Sequence, residues 1–162
     1  RNKRTMTSTK MFFSRLRSLA PMLLCGAFLL LSAGCDDEKQ IGYGKLPAAA
    51  QAFIEHYFPE CQVVSAEREK DDGGKEYQVT LCNGTQIEFD ARGDWTSVDC
   101  KFSLLPEGII PEPIRADLAT RYPEAAVHKI ERQLGGYELS LSNAKQLIYA
   151  SDGTFVREEI DL

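Results

Sequence analysis

Two histidines and one tryptophan in 162 residues leave little material for a metal or redox centre. His56 and His128 stand at unrelated places in the chain, and a zinc site needs three or four ligands at defined spacing, so no metal site is expected. There is no Gly-x-Ser-x-Gly elbow and no cysteine in a recognised catalytic context, which leaves nucleophilic catalysis without its residues. The glycine pairs Gly73-Gly74 and Gly135-Gly136 join strand to strand rather than strand to helix, so they do not form a phosphate cradle. The longest apolar run, Leu19 to Leu31, is interrupted by Pro21, Cys25 and Gly26 and falls short of the roughly 20 residues of a membrane span. These absences point to a non-enzymatic protein with no cofactor.

Basic charge is also scarce beyond the N-terminal segment. Arg1 to Arg17 holds six basic residues and no acid, and the apolar run follows it, which is the layout of an export signal. Residues 1–34 therefore read as a signal peptide. Without them the chain keeps 13 basic and 24 acidic residues, a net charge of −11. So acidic a protein carries no electrostatic footprint for nucleic acid or for anionic lipid.

The apolar run ends in Leu31-Ser32-Ala33-Gly34-Cys35. This resembles the lipobox of bacterial lipoproteins, in which small residues precede a cysteine that is lipidated and becomes the mature N-terminus. Ser32 stands where an aliphatic residue is usual. The resemblance implies lipidation of Cys35, a lipidated tether over residues 35–44, and membrane attachment through that lipid alone; one acyl chain anchors only marginally, so two or three are needed. The acidic run Asp36-Asp37-Glu38 resembles a signal that sends such proteins to the outer face of the outer membrane. The expected location is the bacterial cell envelope, as an outer-membrane lipoprotein facing the periplasm or the cell surface.

The remaining sequence repeats itself. Leu46-Pro47 is followed by Tyr57-Phe58-Pro59-Glu60, and Ile110-Pro111 by Arg121-Tyr122-Pro123-Glu124, at an offset of 64 residues; from Tyr77 and Tyr137 onward the offset is 60. Repeats of this size mark a copied supersecondary unit that completes a shared core. Ala50, Phe53, Ile54, Tyr57 and Phe58 recur at helical steps, as do Ile114, Leu118 and Tyr122. Proline opens each helix and proline ends it. Alternation then takes over: Tyr77, Val79 and Leu81 against Gln78, Thr80 and Cys82, and Tyr137, Leu139 and Leu141 against Glu138, Ser140 and Ser142. Asn83-Gly84 is a strong hairpin signal, whereas Asn143-Ala144 is weaker because alanine resists positive φ. The expected fold is α+β: two tandem repeats, 45–103 and 104–162, each one helix plus a four-stranded antiparallel meander, with the helices on one face of the sheets and the repeats forming one compact domain.

The ordered set Leu-Pro, helix, Tyr-Phe-Pro, then Tyr-x-Val-x-Leu-x-Asn-Gly-x-x-Ile-x-Phe-Asp and Gly-x-Trp resembles the PepSY-like family over residues 45–162. These are secreted or lipid-anchored bacterial proteins, similar in fold to the beta-lactamase inhibitor protein. The resemblance implies a binding or inhibitory role and transfers no catalytic residue. It leads to an expected protein or peptide partner engaged by the sheet face, with an inhibitor of a secreted enzyme as one form of that role. A structural accessory subunit of an envelope complex and a small-ligand carrier stand beside it.

The candidate partner-binding residues are the polar-face positions Gln78, Thr80, Glu88, Glu138, Ser140 and Ile148, together with Trp95 and Phe155. Those two aromatics fall just after the third turn of each copy, either as paired anchors for a partner or as core packed under the helices. In an oxidising compartment Cys61, Cys82 and Cys100 make an odd set. An Asn83-Gly84 two-residue turn would set Cys82 opposite Thr85 and two strands from Cys100, about 9 to 10 Å at normal strand spacing, beyond the roughly 7 Å reach of a disulfide. Cys61 begins the first strand beside Cys82, so the expected bridge is Cys61–Cys82 with Cys100 free.

Overall fold

The computed structural model describes residues 39–71 and 74–160. The expected signal peptide and the first four tether residues, Cys35 among them, lie outside the described residues. Strand β1 (Lys39–Gln40) leads through a 3-10 turn (Tyr43–Lys45) to helix α1 (Ala48–Tyr57), which is followed by β2 (Val63–Asp71), β3 (Gly74–Leu81), β4 (Gln86–Phe89) and β5 (Trp95–Asp99). Helix α2 (Glu112–Arg121) then precedes β6 (Val127–Gln133), β7 (Gly136–Leu141), β8 (Lys145–Ala150) and β9 (Phe155–Ile160).

The strands correct the expected fold. Instead of two helix-plus-meander repeats with a sheet each, they form one open nine-stranded sheet, ordered β1 to β9 along the chain, with only two α-helices among the described residues. The joint is at β5 and β6, where Ser97, Val98 and Asp99 pair with Glu131, Ile130 and Lys129. Pairing there satisfies two strand edges whose N–H and C=O groups would otherwise stand open. At the far side β1 pairs with β2, Lys39 opposite Arg68 and Gln40 opposite Glu67, an added strand that the sequence pattern does not signal. The sheet does not close on itself, so β1 and β9 are its edges.

One row of directly opposed residues holds the core together. Ala66, Val79, Ile87, Val98, Ile130, Leu139 and Leu147 face one another across β2 to β8, and all are buried. They share a single cluster with Ala50 and Ile54 of α1 and Ile114 and Leu118 of α2. The four-residue spacing puts each helical pair on one stripe. Both helices begin after an extended proline, Pro47 or Pro111, and the N–H of Phe58 or Tyr122 closes the last turn on Ile54 or Leu118.

The hairpin at Asn83-Gly84 is one residue longer than expected. The Leu81 N–H donates to the Thr85 carbonyl and Gly84 N–H to that of Leu81, so Cys82, Asn83 and Gly84 form a three-residue loop with Gly84 at φ +85°. A type I turn closed by a left-handed residue is the usual form of such a loop. Cys82 thus leaves the ladder and becomes exposed. Ala144 takes φ +58° in the corresponding place of the β7–β8 loop, despite its Cβ.

Candidate binding face

Alternation along the strands that sends the apolar row to the helices sends a polar set to the opposite face. Gln78, Glu88, Ser97, Glu131, Glu138, Ile148 and Arg157 stand opposite one another from β3 to β9. A parallel row two positions along each strand runs Thr80, Gln86, Asp99, Lys129, Ser140, Gln146 and Glu159. The polar-face candidates Gln78, Glu88, Glu138 and Ile148 therefore meet in one row, and Thr80 and Ser140 in the next. Sequence reading missed Ser97, Asp99, Lys129, Glu131 and Arg157; the period-2 alternation marks them too once β5, β6 and β9 are known to share the sheet.

Charge on this face is lopsided. Glu67, Glu69, Glu76, Glu88, Asp99, Glu131, Glu138 and Glu159 lie on it by register, against Lys129 and Arg157. Neighbouring polar groups knit part of it: Lys129 bridges Glu131 at 3.2 Å, Arg157 bridges Glu159 at 2.6 Å, and the Gln146 amide donates to Glu138 at 2.6 Å. Asp99 is paired with Lys101 at 2.6 Å. Although burial pushes it up, hydrogen bonds from the Lys101 side chain and N–H carry the Asp99 carboxyl below the usual aspartate value. Ser97 and Ser140 are nearly inaccessible at 6% and 4%, each standing between longer side chains in its row: Glu88 and Glu131, and Lys129 and Gln146.

Glu88 is the perturbed member. Partial burial among its neighbours raises its carboxyl above the ordinary glutamate value, and the like charges of Glu131, Glu76 and Glu69 add to the shift while Lys129 opposes it. Glu69, Glu76, Gln78 and Glu88 border a shallow depression of about 90 Å³. Among the described residues no three His, Cys, Asp or Glu side chains are grouped to hold a metal ion.

Trp95 and Phe155 belong to the other side of the sheet. Trp95 pairs with inward-facing Phe89 and lies among Phe53, Tyr137 and Arg132, whose guanidinium sits 4.1 Å from the indole centroid. Phe155 packs edge-on to Tyr149 beneath the Arg121 guanidinium. Both are half-buried against the core rather than assembled with the polar rows. His56 is exposed on α1; His128 is half-buried on β6, with its Nδ1 buried and unpartnered in an open cleft of about 530 Å³ bordered by Phe102, Leu104 and Ser142.

The family description "Putative beta-lactamase-inhibitor-like, PepSY-like" matches residues 75–157, half of the chain. The chain belongs to this PepSY-like family. Its solved relatives agree in fold over nearly their whole length. A DUF2874-family protein of Bacteroides vulgatus, described as a "putative periplasmic protein", is 39% identical with a TM-score of 0.74, covering 78% of this chain and 99% of its own. A "putative calcium-regulated periplasmic protein" of Bacteroides thetaiotaomicron has the same identity, score and coverage. A second Bacteroides vulgatus protein, described as a periplasmic protein of unknown function, is 31% identical with a TM-score of 0.73, covering 75% of this chain and 98% of its own. No curated protein matches the chain.

Proposed function

We propose that this PepSY-like protein is a non-catalytic periplasmic binding protein that docks a basic segment of a protein partner on the open, acidic face of its sheet. The observation that carries the reading is the imbalance of eight carboxylates to three bases, counting Lys101 at Asp99, on a face the helices leave uncovered. A cationic group set against Glu88 relieves the repulsion from Glu131, Glu76 and Glu69 and brings its raised carboxyl back down. Exposed pairs are worth about 0.2 to 1 kcal/mol each, so affinity comes from several together and falls with salt. The periplasmic setting is that of the relatives. Lipid attachment at Cys35 and residence in the outer membrane belong to the same reading, with loss of radiolabelled acyl chain in Cys35→Ser as their check. A narrower form, inhibition of a secreted enzyme, follows the family description and is tested by adding the protein to a beta-lactamase assay.

The deciding experiment titrates a lysine-rich peptide, and its glutamate-rich counterpart, into the isotopically labelled protein. The lysine peptide should shift the amides of β4, β6 and β7 and bind less tightly in Glu88→Gln/Glu131→Gln. Equal binding of both peptides, or shifts confined to the helical side, would overturn the reading. Calcium is the control, since one relative is described as regulated by it: calcium shifting the same amides while the peptide shifts none would assign the charge to a cation instead.

A further inference from the structure

Three thiols gather at one end of the sheet, outside the proposed binding face. Cys61 follows α1 by one turn, its N–H donating to the Phe58 carbonyl at 3.0 Å, and the Cys82 N–H donates to the carbonyl of Gln62 at 2.8 Å. Val63 pairs with Leu81 just beyond. This register brings Cys61, which precedes β2, against Cys82, which follows β3, and the two thiols meet within hydrogen-bonding contact. Cys82 is exposed, Cys61 half-buried and Cys100 buried. The Cys100 backbone is tied to the next strand through His128, and its thiol faces Thr85.

We infer that Cys61 and Cys82 form a redox-active pair that closes to a disulfide on exchange with a disulfide-bearing oxidant, leaving Cys100 as a thiol. The exposed Cys82 thiolate attacks one sulfur of the oxidant, forming a mixed disulfide and expelling the first thiolate. Cys61 loses its proton and its sulfur attacks Cys82 Sγ, so that the new S–S bond forms as the second thiolate leaves. The protein gives up two electrons and two protons, and the oxidant is reduced to two thiols. The three-residue loop leaves Cys82 exposed to an oxidant while its N–H stays bonded to the Gln62 carbonyl, next to Cys61. The bridge ties the exit of α1 to the β3–β4 loop, at the rim of an open cleft of about 580 Å³ bordered by Tyr43, Ile54, Phe58 and Cys61. That an oxidant is met in the cell rests on the periplasmic placement proposed above; the geometry does not.

The test is peptide mapping of the purified protein after equilibration with glutathione disulfide and alkylation. The expected product is lighter by two hydrogen atoms, with the Cys61 and Cys82 peptides joined and Cys100 alkylated. Cys61→Ser should halt the exchange at a glutathione adduct on Cys82, and Cys82→Ser should abolish rapid oxidation. Three alkylated thiols in the wild-type protein, or a link from Cys100 to either partner, would overturn the inference. Protein that bridges in the tube but is recovered reduced from cells trapped with alkylating agent would instead sink the periplasmic placement, leaving the pair intact.

Discussion

Replacing Gly93 with alanine separates two costs that are usually confounded at a turn. Gly93 sits at φ +90°, and a Cβ there would lie 2.7 Å from Pro47 Cβ and 2.9 Å from the Ala50 nitrogen, at the start of α1. Gly135 has nearly the same φ, +92°, but a Cβ on it would meet nothing within 4 Å. Both substitutions incur the left-handed strain of about 1 to 2 kcal/mol, offset by roughly 0.5 kcal/mol through the stiffer unfolded chain. Only Gly93→Ala adds the overlap with helix backbone and proline, about 1 to 3 kcal/mol when a packed contact must move. The expected losses are therefore about 3 kcal/mol for Gly93→Ala and about 1 kcal/mol for Gly135→Ala. At about 4 °C per kcal/mol for a domain of this size, the melting temperature falls by roughly 12 °C and 4 °C respectively. Gly153, whose Cβ would come 2.6 Å from Pro113 Cβ, should behave like Gly93. Thermal and urea unfolding by circular dichroism measure all three. Equal losses at Gly93 and Gly135 would refute the claim that helix–turn contact, and not φ alone, selects glycine there.

Ala144→Gly should stabilise by about 0.5 kcal/mol, the relief of left-handed strain exceeding the entropy of an added glycine; a fall in urea midpoint would count against that loop conformation. Tyr149→Phe removes the hydroxyl that donates to Asp117 at 2.9 Å and should cost about 1 kcal/mol. Arg121 is the larger cause of the lowered Asp117 carboxyl, with Tyr149 adding to it. The stabilisation from that carboxylate is present above the ordinary aspartate value of 3.8 and is lost as pH falls through the lowered one, so the cost of Tyr149→Phe should shrink in acid; a pH-independent cost would exclude the linkage. Glu88 runs the other way. Its raised carboxyl makes folding favourable to the protonated form, an advantage present below the ordinary 4.5 and lost as pH rises through the folded value. Glu88→Gln should therefore raise the melting temperature at neutral pH and change it little below about pH 4; destabilisation at neutral pH would show that Glu88 is held by favourable contacts instead.

Much of this fold is legible in the chain because local rules act over a few residues. Proline before Ala48 and Glu112, with apolar residues four apart, marks each helix. Alternation assigns Val79, Ile87, Leu139 and Leu147 inward and Gln78, Glu88 and Glu138 outward without reference to anything distant. The same rule could not place Trp95, because β5 carries one extra residue, Thr96, opposite the Glu88–Phe89 step of β4, and that shift resets which side Trp95 takes. Nor could the Asn-Gly signal tell a two-residue turn from the three-residue loop that releases Cys82, since both accept glycine at positive φ.

Alone, then, the sequence determined both helices and every strand but β1, which side chains of the regular strands turn inward, and that acid outweighs base. Tertiary structure alone decided that β5 joins β6 in one continuous sheet, that β1 adds an edge strand, and that a three-residue loop takes Cys82 out of the β3–β4 ladder. The physical reason is separation along the chain. Periodicity, proline and glycine act within a turn or two, whereas the pairing of Val98 with Ile130 is set by two open edges finding each other across a helix, a matter of where hydrogen-bonding groups end up in space.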